Sequence, residues 1–318
     1  MPYTKGEGER VVIALGGNAL GNSPAEQLEL VKSTAKNIVD LIADGNNLIV
    51  SHGNGPQVGM IKNACDFAHS RDGKTPDVPF PEAGAMSQGY IGYQLSQAIL
   101  NEMRRRGIMR STANIITQTV VSPDDPGFKN PTKPVGAFLT EEEAKAKAEE
   151  TGYVYKEDAG RGWRQVVASP KPERIVEFDA VQDLMNAGYI VVCTGGGGVP
   201  VFEKDGAYSG VPAVIDKDRS SARMAADFKA DMLIILTAVE KVAINFNTPE
   251  QKNLDHMSVA DAQRYIEEGQ FAPGSMLPKV QACLEYLADY PSGKALITSL
   301  ECAEAAIKGE TGTTITVD

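Results

Sequence analysis

Three apolar, mostly β-branched runs in this chain lead into clusters of glycine. They are Val11-Val12-Ile13-Ala14-Leu15 into Gly16-Gly17-Asn18, Leu48-Ile49-Val50 into His52-Gly53-Asn54-Gly55, and Ile190-Val191-Val192-Cys193 into Gly195-Gly196-Gly197-Gly198. A continuous apolar run reads as a strand buried on both faces of a parallel sheet, since a strand with one wet face would alternate. Glycine at its carboxyl end lets bare N–H groups approach a ligand, and that edge is where open α/β sheets bind ligands. Three such edges together predict one crowded anion site. Each cluster taken alone is equally an ordinary tight turn.

Strand and helix patterns alternate along most of the chain, which predicts an α/β architecture: a three-layer αβα open, mostly parallel sheet. Ser23-Pro24-Ala25-Glu26 signals a helix start, with Leu28, Val31, Ala35, Ile38 and Ile42 at helical spacing and Gly45 placed to end it. Pro56 opens a second helix with Val58, Ile61, Ala64 and Ala68 on one stripe. A further helix runs through Ile175, Phe178, Val181, Leu184 and Met185 to Gly188. From about residue 117 to 169 the chain is rich in proline, carries a charged stretch at 141–150 and has only short strand-like pieces. That composition predicts a subdomain projecting from the sheet. Beyond Ser220 the alternation resumes with strands near 232–236 and 295–298, helices near 258–268, 276–289 and 301–308, and a last strand.

A net charge of −11 argues against a nucleic-acid partner, and it means an anion site must build its positive potential locally. No run of eighteen apolar residues predicts a membrane span. The first residues lack the apolar core of a secretory signal, and Cys65, Cys193, Cys283 and Cys302 show no CxxC pairing. Together these predict reduced thiols in the cytoplasm. His52, His69 and His256 are too dispersed for a metal cluster.

Familiar nucleotide motifs are missing. There is no GxxxxGK[ST], and Gly53-x-Gly55-x-x-x-Gly59 is one residue too long for the dinucleotide fingerprint. Three lysines stand in notable settings: Lys133 between prolines in Asn130-Pro131-Thr132-Lys133-Pro134, Lys217 in Ile215-Asp216-Lys217-Asp218-Arg219, and Lys279 after Pro278. From composition each lysine reads equally as a solvated surface charge, and Asp216 and Asp218 as helix-start residues.

A resemblance lifts them further. The runs around Gly16-Gly17-Asn18, Ser51-His52-Gly53-Asn54-Gly55-Pro56, Ala85-Met86-Ser87-Gln88-Gly89, Asn130-Pro131-Thr132-Lys133-Pro134, Gly160-Arg161-Gly162-Trp163, Cys193-Thr194-Gly195-Gly196, Val214-Ile215-Asp216-Lys217-Asp218 and Gly274-Ser275-Met276-Leu277-Pro278-Lys279 resemble carbamate kinases, in order and over nearly the whole chain. The resemblance implies the amino-acid-kinase fold with an inserted protruding subdomain. It places an acceptor-binding lobe at 1–220 (the subdomain at about 117–169 included) and a nucleotide-binding lobe at 221–318. It implies phosphoryl transfer between ATP and carbamate, with Mg2+ carried on the nucleotide phosphates and no metal ligand from the protein. It also implies a homodimer and a role in arginine catabolism, with carbamoyl phosphate used to make ATP. Relatives such as acetylglutamate kinase carry a lysine two residues before the first Gly-Gly; here that residue is Ala14, and the charge would come from Lys133 in the insertion.

By the same resemblance, Lys133, Lys217, Asp218 and Lys279 are catalytic, with Asp218 orienting the lysines. Gly16, Gly17, Asn18, Gly53 and Asn54 would hold the carbamate or phosphoryl group. Gly195, Gly196, Thr237, Val239, Lys241, Met276 and Pro278 would bind nucleotide. Ala238, Glu240 and Leu277 depart from the family pattern on the nucleotide side. Two other readings remain at this point: a kinase of another small carboxylate on the same fold, and a catalytically silent anion or nucleotide sensor. The apolar stripe Ile91, Leu95, Ala98 and Ile99 reads as core-facing before it reads as a dimer contact.

Overall fold

The buried runs form the middle of an eight-stranded sheet. In the computed structural model, which describes residues 5–16, 20, 23–72, 74–158 and 160–318, its strands are β1 (Arg10–Leu15), β2 (Asn47–His52), β3 (Thr112–Asn114), β4 (Ile190–Val192), β5 (Met232–Thr237), β6 (His256–Ser258), β7 (Lys294–Ser299) and β8 (Thr313–Thr316). Their order across the sheet is β6-β8-β7-β5-β1-β2-β4-β3. The six strands from β7 to β3 are parallel, while β8 runs antiparallel to β7 and pairs in parallel with β6. The chain order reverses around β1, with β2 on one side and β5 on the other. A crevice opens at the carboxyl ends of strands at such a point.

Both faces of these strands are apolar because helices cover both. Val12, Ala14, Ile49, Val191, Leu233 and Ile235 point into one core, with α5 (Phe178–Asn186), α6 (Lys217–Asp227) and α8 (Met276–Asp289) packed over it. Val11, Ile13, Leu15, Leu48, Val50 and Ile234 point into the other, under α1 (Pro24–Ala43), α3 (Phe80–Arg105) and α9 (Ala303–Ile307). Each fully buried aliphatic side chain contributes about 1.5–3 kcal/mol relative to exposure, so the sheet is a rigid base for whatever its edge carries. The polar tip of the buried Tyr286 is accounted for: its hydroxyl donates to Ala230 O at 2.7 Å.

The expected starts and stops hold with local exceptions. Ser23 caps α1, its hydroxyl accepting the Glu26 N–H, and the helix ends just before Gly45 at φ +90°. Leu28 is 42% exposed, while Gln27 beside it takes the buried position and accepts from Gln57 Nε2 at 2.9 Å. In α2 (Gly55–Asp72) only Val58 of the expected stripe is buried; Ala64 is exposed and Phe67 is 61% exposed. Helix α2 lies at the rim, where the sheet does not reach. Ile175 is in a strand, not a helix, because it pairs with Thr119. In α3, Ile91, Leu95 and Ile99 face the core.

Within the stretch expected to project, Gln118–Val120 joins a second, four-stranded sheet beside Val199–Lys204, and the three-stranded sheet follows it. The body of the insertion is a three-stranded antiparallel sheet of Lys133–Leu139, Trp163–Val167 and Tyr155–Glu157, with helix α4 (Glu141–Thr151) started by a Thr140/Glu143 capping box. It meets α2 backbone to backbone. A Cβ at Gly59 would lie 2.7 Å from Gly136 Cα, and Gly136 has φ +75°, so both positions require glycine for this approach. That crossing holds Lys133, three residues earlier, over the sheet edge. Helix α7 (Val259–Glu267) completes the carboxyl-terminal half. A division at residue 220 falls inside α6, and the main sheet runs unbroken past it. Among the described residues no helix is long and apolar enough to cross a membrane. The four cysteines are unpaired, and burial pushes the Cys193 thiol up to about 12.

Candidate active site

A cleft of about 390 Å³ opens at the carboxyl edge of β2, beneath the insertion. Three helices begin at it: Gly55 and Pro56 of α2, Lys217 and Asp218 of α6, and Pro278 and Lys279 of α8 all line its wall. Helix starts present unsatisfied N–H groups and the positive end of the helix dipole. Their convergence makes a local anion site in a chain of net charge −11.

Lysines strengthen that potential. Asp216 is the N-cap of α6: its Oδ1 accepts the Asp218 N–H at 2.9 Å, while Oδ2 accepts Lys133 Nζ at 2.6 Å. Asp218 takes the other two, Lys217 on Oδ1 and Lys279 on Oδ2, the latter at 2.9 Å. Three ammonium groups from the insertion, α6 and α8 thus gather around two carboxylates. The Asp218 side chain is only 4% exposed. Burial disfavours its charge, but Lys217 and Lys279 outweigh burial and hold the carboxyl below its usual value. Burial also pulls Lys217 below the ordinary lysine value, with Asp218 opposing it. For Lys279 the attraction of Asp218 wins over burial and raises it. Asp216 is held low because Lys133, Lys217 and the Asp218 N–H overcome its burial.

The glycine clusters supply the wall behind these charges. The Lys217 stem runs past Gly53, where a Cβ would come within 3.5 Å of Cδ. Asn54 lines the cleft and donates from Nδ2 to Ser87 Oγ at 2.9 Å. Gly196 lies against Asn54, in the left-handed region at φ +62°; a Cβ there would fall 2.1 Å from Asn54 Nδ2. Gly195 seats the ring of His52, whose Nδ1–H donates to Gly53 O at 2.8 Å. Burial drives His52 down to about 4. Its neutral ring therefore orients the Gly53 peptide and does not serve as a charge. Gly197 O accepts from Ser220 at 2.7 Å and Thr119 at 3.0 Å, tying the glycine turn to the start of α6.

The structure therefore brings Lys133, Lys217, Asp218, Lys279, Gly53, Asn54, Gly196 and Pro278 into one cleft. Gly16 directly follows β1, where a Cβ would come within 3.0 Å of Leu236 O, whereas Gly17 and Asn18 lie outside the described residues. Met276 starts α8 just behind the wall. Thr237 ends β5, Val239 and Lys241 follow it, and none of the three lines this cleft; Lys241 pairs with Asp255 at 2.5 Å. Gly195 and Gly196 follow β4, with β2 and β1 between them and β5. Of the departures, Ala238 is exposed, Glu240 accepts from the Thr311 hydroxyl, and Leu277 packs toward the core under α8. Sequence reasoning missed Asp216 as the partner of Lys133. Its only signal was a second acid two residues from Asp218, and nothing local links it to a lysine 83 positions away.

Among the described residues no group of three or more His, Cys, Asp or Glu could hold a metal ion. Both cleft carboxylates are engaged by lysines. This donor set suits a metal arriving on polyphosphate oxygens, and does not suit one held by the protein.

The profile of the Amino acid kinase family matches residues 9–298. A carbamate kinase of Staphylococcus haemolyticus is 51% identical over 306 residues, covering 96% of this chain and 99% of the relative. A carbamate kinase-like protein of Escherichia coli is 52% identical over 307 residues with the same coverage. The solved carbamate kinase from Giardia lamblia bound to AMP-PNP superposes with a TM-score of 0.89 at 40% identity, covering 98% of this chain and 99% of that one. The chain belongs to the amino acid kinase family and, within it, to the carbamate kinases.

Proposed function

We propose that the chain catalyses reversible phosphoryl transfer between ATP and carbamate, giving ADP and carbamoyl phosphate. The observation that carries this reading is the convergence of Lys133, Lys217 and Lys279 on one glycine-walled cleft, while the first strand offers only Ala14 where other kinases of this fold place a lysine. In the ATP-forming direction an oxygen of the ADP β-phosphate attacks phosphorus, the bond from phosphorus to the carbamate oxygen breaks, and carbamate leaves with that electron pair. The protein makes no covalent intermediate, so positioning and charge neutralisation supply the rate.

Lys217 and Lys133 would neutralise the transferring group, with Lys279 on the nucleotide phosphates. Asp218 keeps Lys217 and Lys279 aimed inward through charge-assisted hydrogen bonds. Backbone N–H groups at Gly16, Gly53 and Asn54 would hold the acceptor, and Gly17 and Asn18 would continue that cradle. Gly195 and Gly196 shape the same wall through His52 and Asn54. The nucleotide would extend from Pro278 and Met276 toward Thr237, Val239 and Lys241. Mg2+ on its phosphates would add positive charge at the transferring group. This assigns an acceptor side to 1–220 and a nucleotide side to 221–318, with α6 and the continuous main sheet shared across that boundary. Cytoplasmic operation toward ATP, drawing on arginine breakdown, belongs to the same reading.

Coupled ATP production from ADP, carbamoyl phosphate and Mg2+ tests it. Robust turnover is expected; none would overturn the assignment. A panel of other small carboxylates at fixed ATP is expected to yield no comparable phosphorylation, which separates this reading from a neighbouring kinase. A homodimer through the acceptor side is also proposed, supported by Met86 and Tyr93, 48% and 57% exposed on the outer face of α3. Light scattering at micromolar concentration is expected to give twice the 34.0 kDa chain mass, and monomer alone would refute it.

A further inference from the structure

Asp218 cannot serve all three lysines. Its Oδ1 is taken by Lys217 and its Oδ2 by Lys279. Among the described residues, the carboxylate paired with Lys133 is Asp216, at 2.6 Å. Lys133 comes from outside the main sheet, at the first residue of the insertion strand Lys133–Leu139, and its side chain is 34% exposed against 20% for Asp216. The more deeply seated partner is therefore the carboxylate, fixed to α6 by its own cap to the Asp218 N–H. A lysine stem has four freely rotating carbons and no directional preference of its own. Only a fixed counter-charge can hold its ammonium at one point over the cleft.

We propose that Asp216 is the positioning residue for Lys133: capping α6 with one oxygen and holding Lys133 with the other, it registers the insertion's cation against the Lys217–Asp218–Lys279 cluster. The inference rests on the proposed kinase activity and adds a residue to it. In this role Asp216 acts through Lys133 and not on the reacting atoms. Its effect is on where Lys133 stands when the phosphoryl group arrives. Losing the carboxylate charge frees Lys133 without removing any positive charge from the cleft. Anionic substrates should therefore bind as well as before or better, while the transition state loses a preorganised partner. The signature is a fall in kcat with no rise in KM.

The N-cap offers a clean separation. Asparagine and serine cap helices about as well as aspartate, so Asp216→Asn and Asp216→Ser keep the α6 start and delete only the ion pair. Wild-type ATP formation from ADP and carbamoyl phosphate is measured first; its absence would overturn the kinase reading itself, not this inference alone. With wild-type turnover in hand, Asp216→Asn is expected to lower kcat about tenfold, leave the KM for carbamoyl phosphate unraised and leave the melting temperature within a few degrees. In a Lys133→Met background the same substitution should cause no further loss, because the two residues act as one unit. A kcat within twofold of wild type would overturn the proposal. So would an equal loss with and without Lys133, and so would failure of both cap-competent variants to fold, since each would assign the carboxylate a structural role only.

Discussion

Lys217→Ala is expected to lower kcat for ATP formation by on the order of a hundredfold or more, with a much smaller change in the melting temperature. The size follows from where the ammonium sits. Lys217 is the first residue of α6, and its stem lies along Gly53 with the side chain only 13% exposed. A charge in that setting is worth far more to a developing phosphoryl transition state than one in bulk solvent. The fold should survive, because Asp218 keeps Lys279 as a partner at 2.9 Å and no carboxylate is left buried alone. Steady-state kinetics on the folded variant, with circular dichroism as the control, decides the matter. Turnover close to wild type would remove Lys217 from the chemistry. Lys217→Arg is expected not to rescue, since a planar fork cannot replace a point charge seated between Gly53 and Asp218.

What the sequence made legible was set by local physics. A buried parallel strand announces itself through continuous β-branched residues, so β1, β2, β4 and β5 were readable from composition alone. Ser23-Pro24 announced α1 because a cap is a short-range interaction. The stripe of α2 misled because helical spacing records amphipathicity and not what a helix lies against; Val58 is buried in a small core with Ile61 half-buried against it, while Ala64 is exposed. Ile175 went to a strand because Thr119, far off in sequence, was there to pair with it. The cleft divides along the same line. Its lysines could be named through family motifs, and Asp218 could be given a partner next door at Lys217. The Lys133–Asp216 pair depends on the insertion folding back over the sheet through the Gly59–Gly136 crossing, and no local pattern encodes that return. The same holds for Gly195 and Gly196. Family resemblance assigned them to the nucleotide, but no local pattern showed that a Cβ at Gly195 would run into His52 and one at Gly196 into Asn54.

Asp218→Asn should be the most damaging single change in the cleft, because it removes the counter-charge of two buried ammonium groups at once. Stripping one member from a buried charge cluster typically destabilises by about 3–5 kcal/mol, and here Lys217 and Lys279 would also be left facing each other. Asparagine can accept a hydrogen bond from one of them but cannot neutralise either. Lys217 already lies below the ordinary lysine value through burial and the proximity of Lys279, with Asp218 holding it up; without that support it falls further. The sign of the pH dependence then follows. Between the depressed folded value and the ordinary value near 10.4, the unfolded chain binds more protons than the folded one, so stability rises with pH across that window. Wild-type Asp218 works in the other direction of titration: its folded value is depressed, so its contribution is present above the ordinary carboxylate value near 3.9 and is lost only as pH falls through the lower folded value. Denaturant melts at pH 7 and pH 9.5 are therefore expected to show a variant that is several kcal/mol weaker at neutral pH and recovers part of the deficit in alkali. A deficit that is constant with pH would mean that Asp218 holds α6 and α8 together by packing, and that the charges of Lys217 and Lys279 are balanced elsewhere.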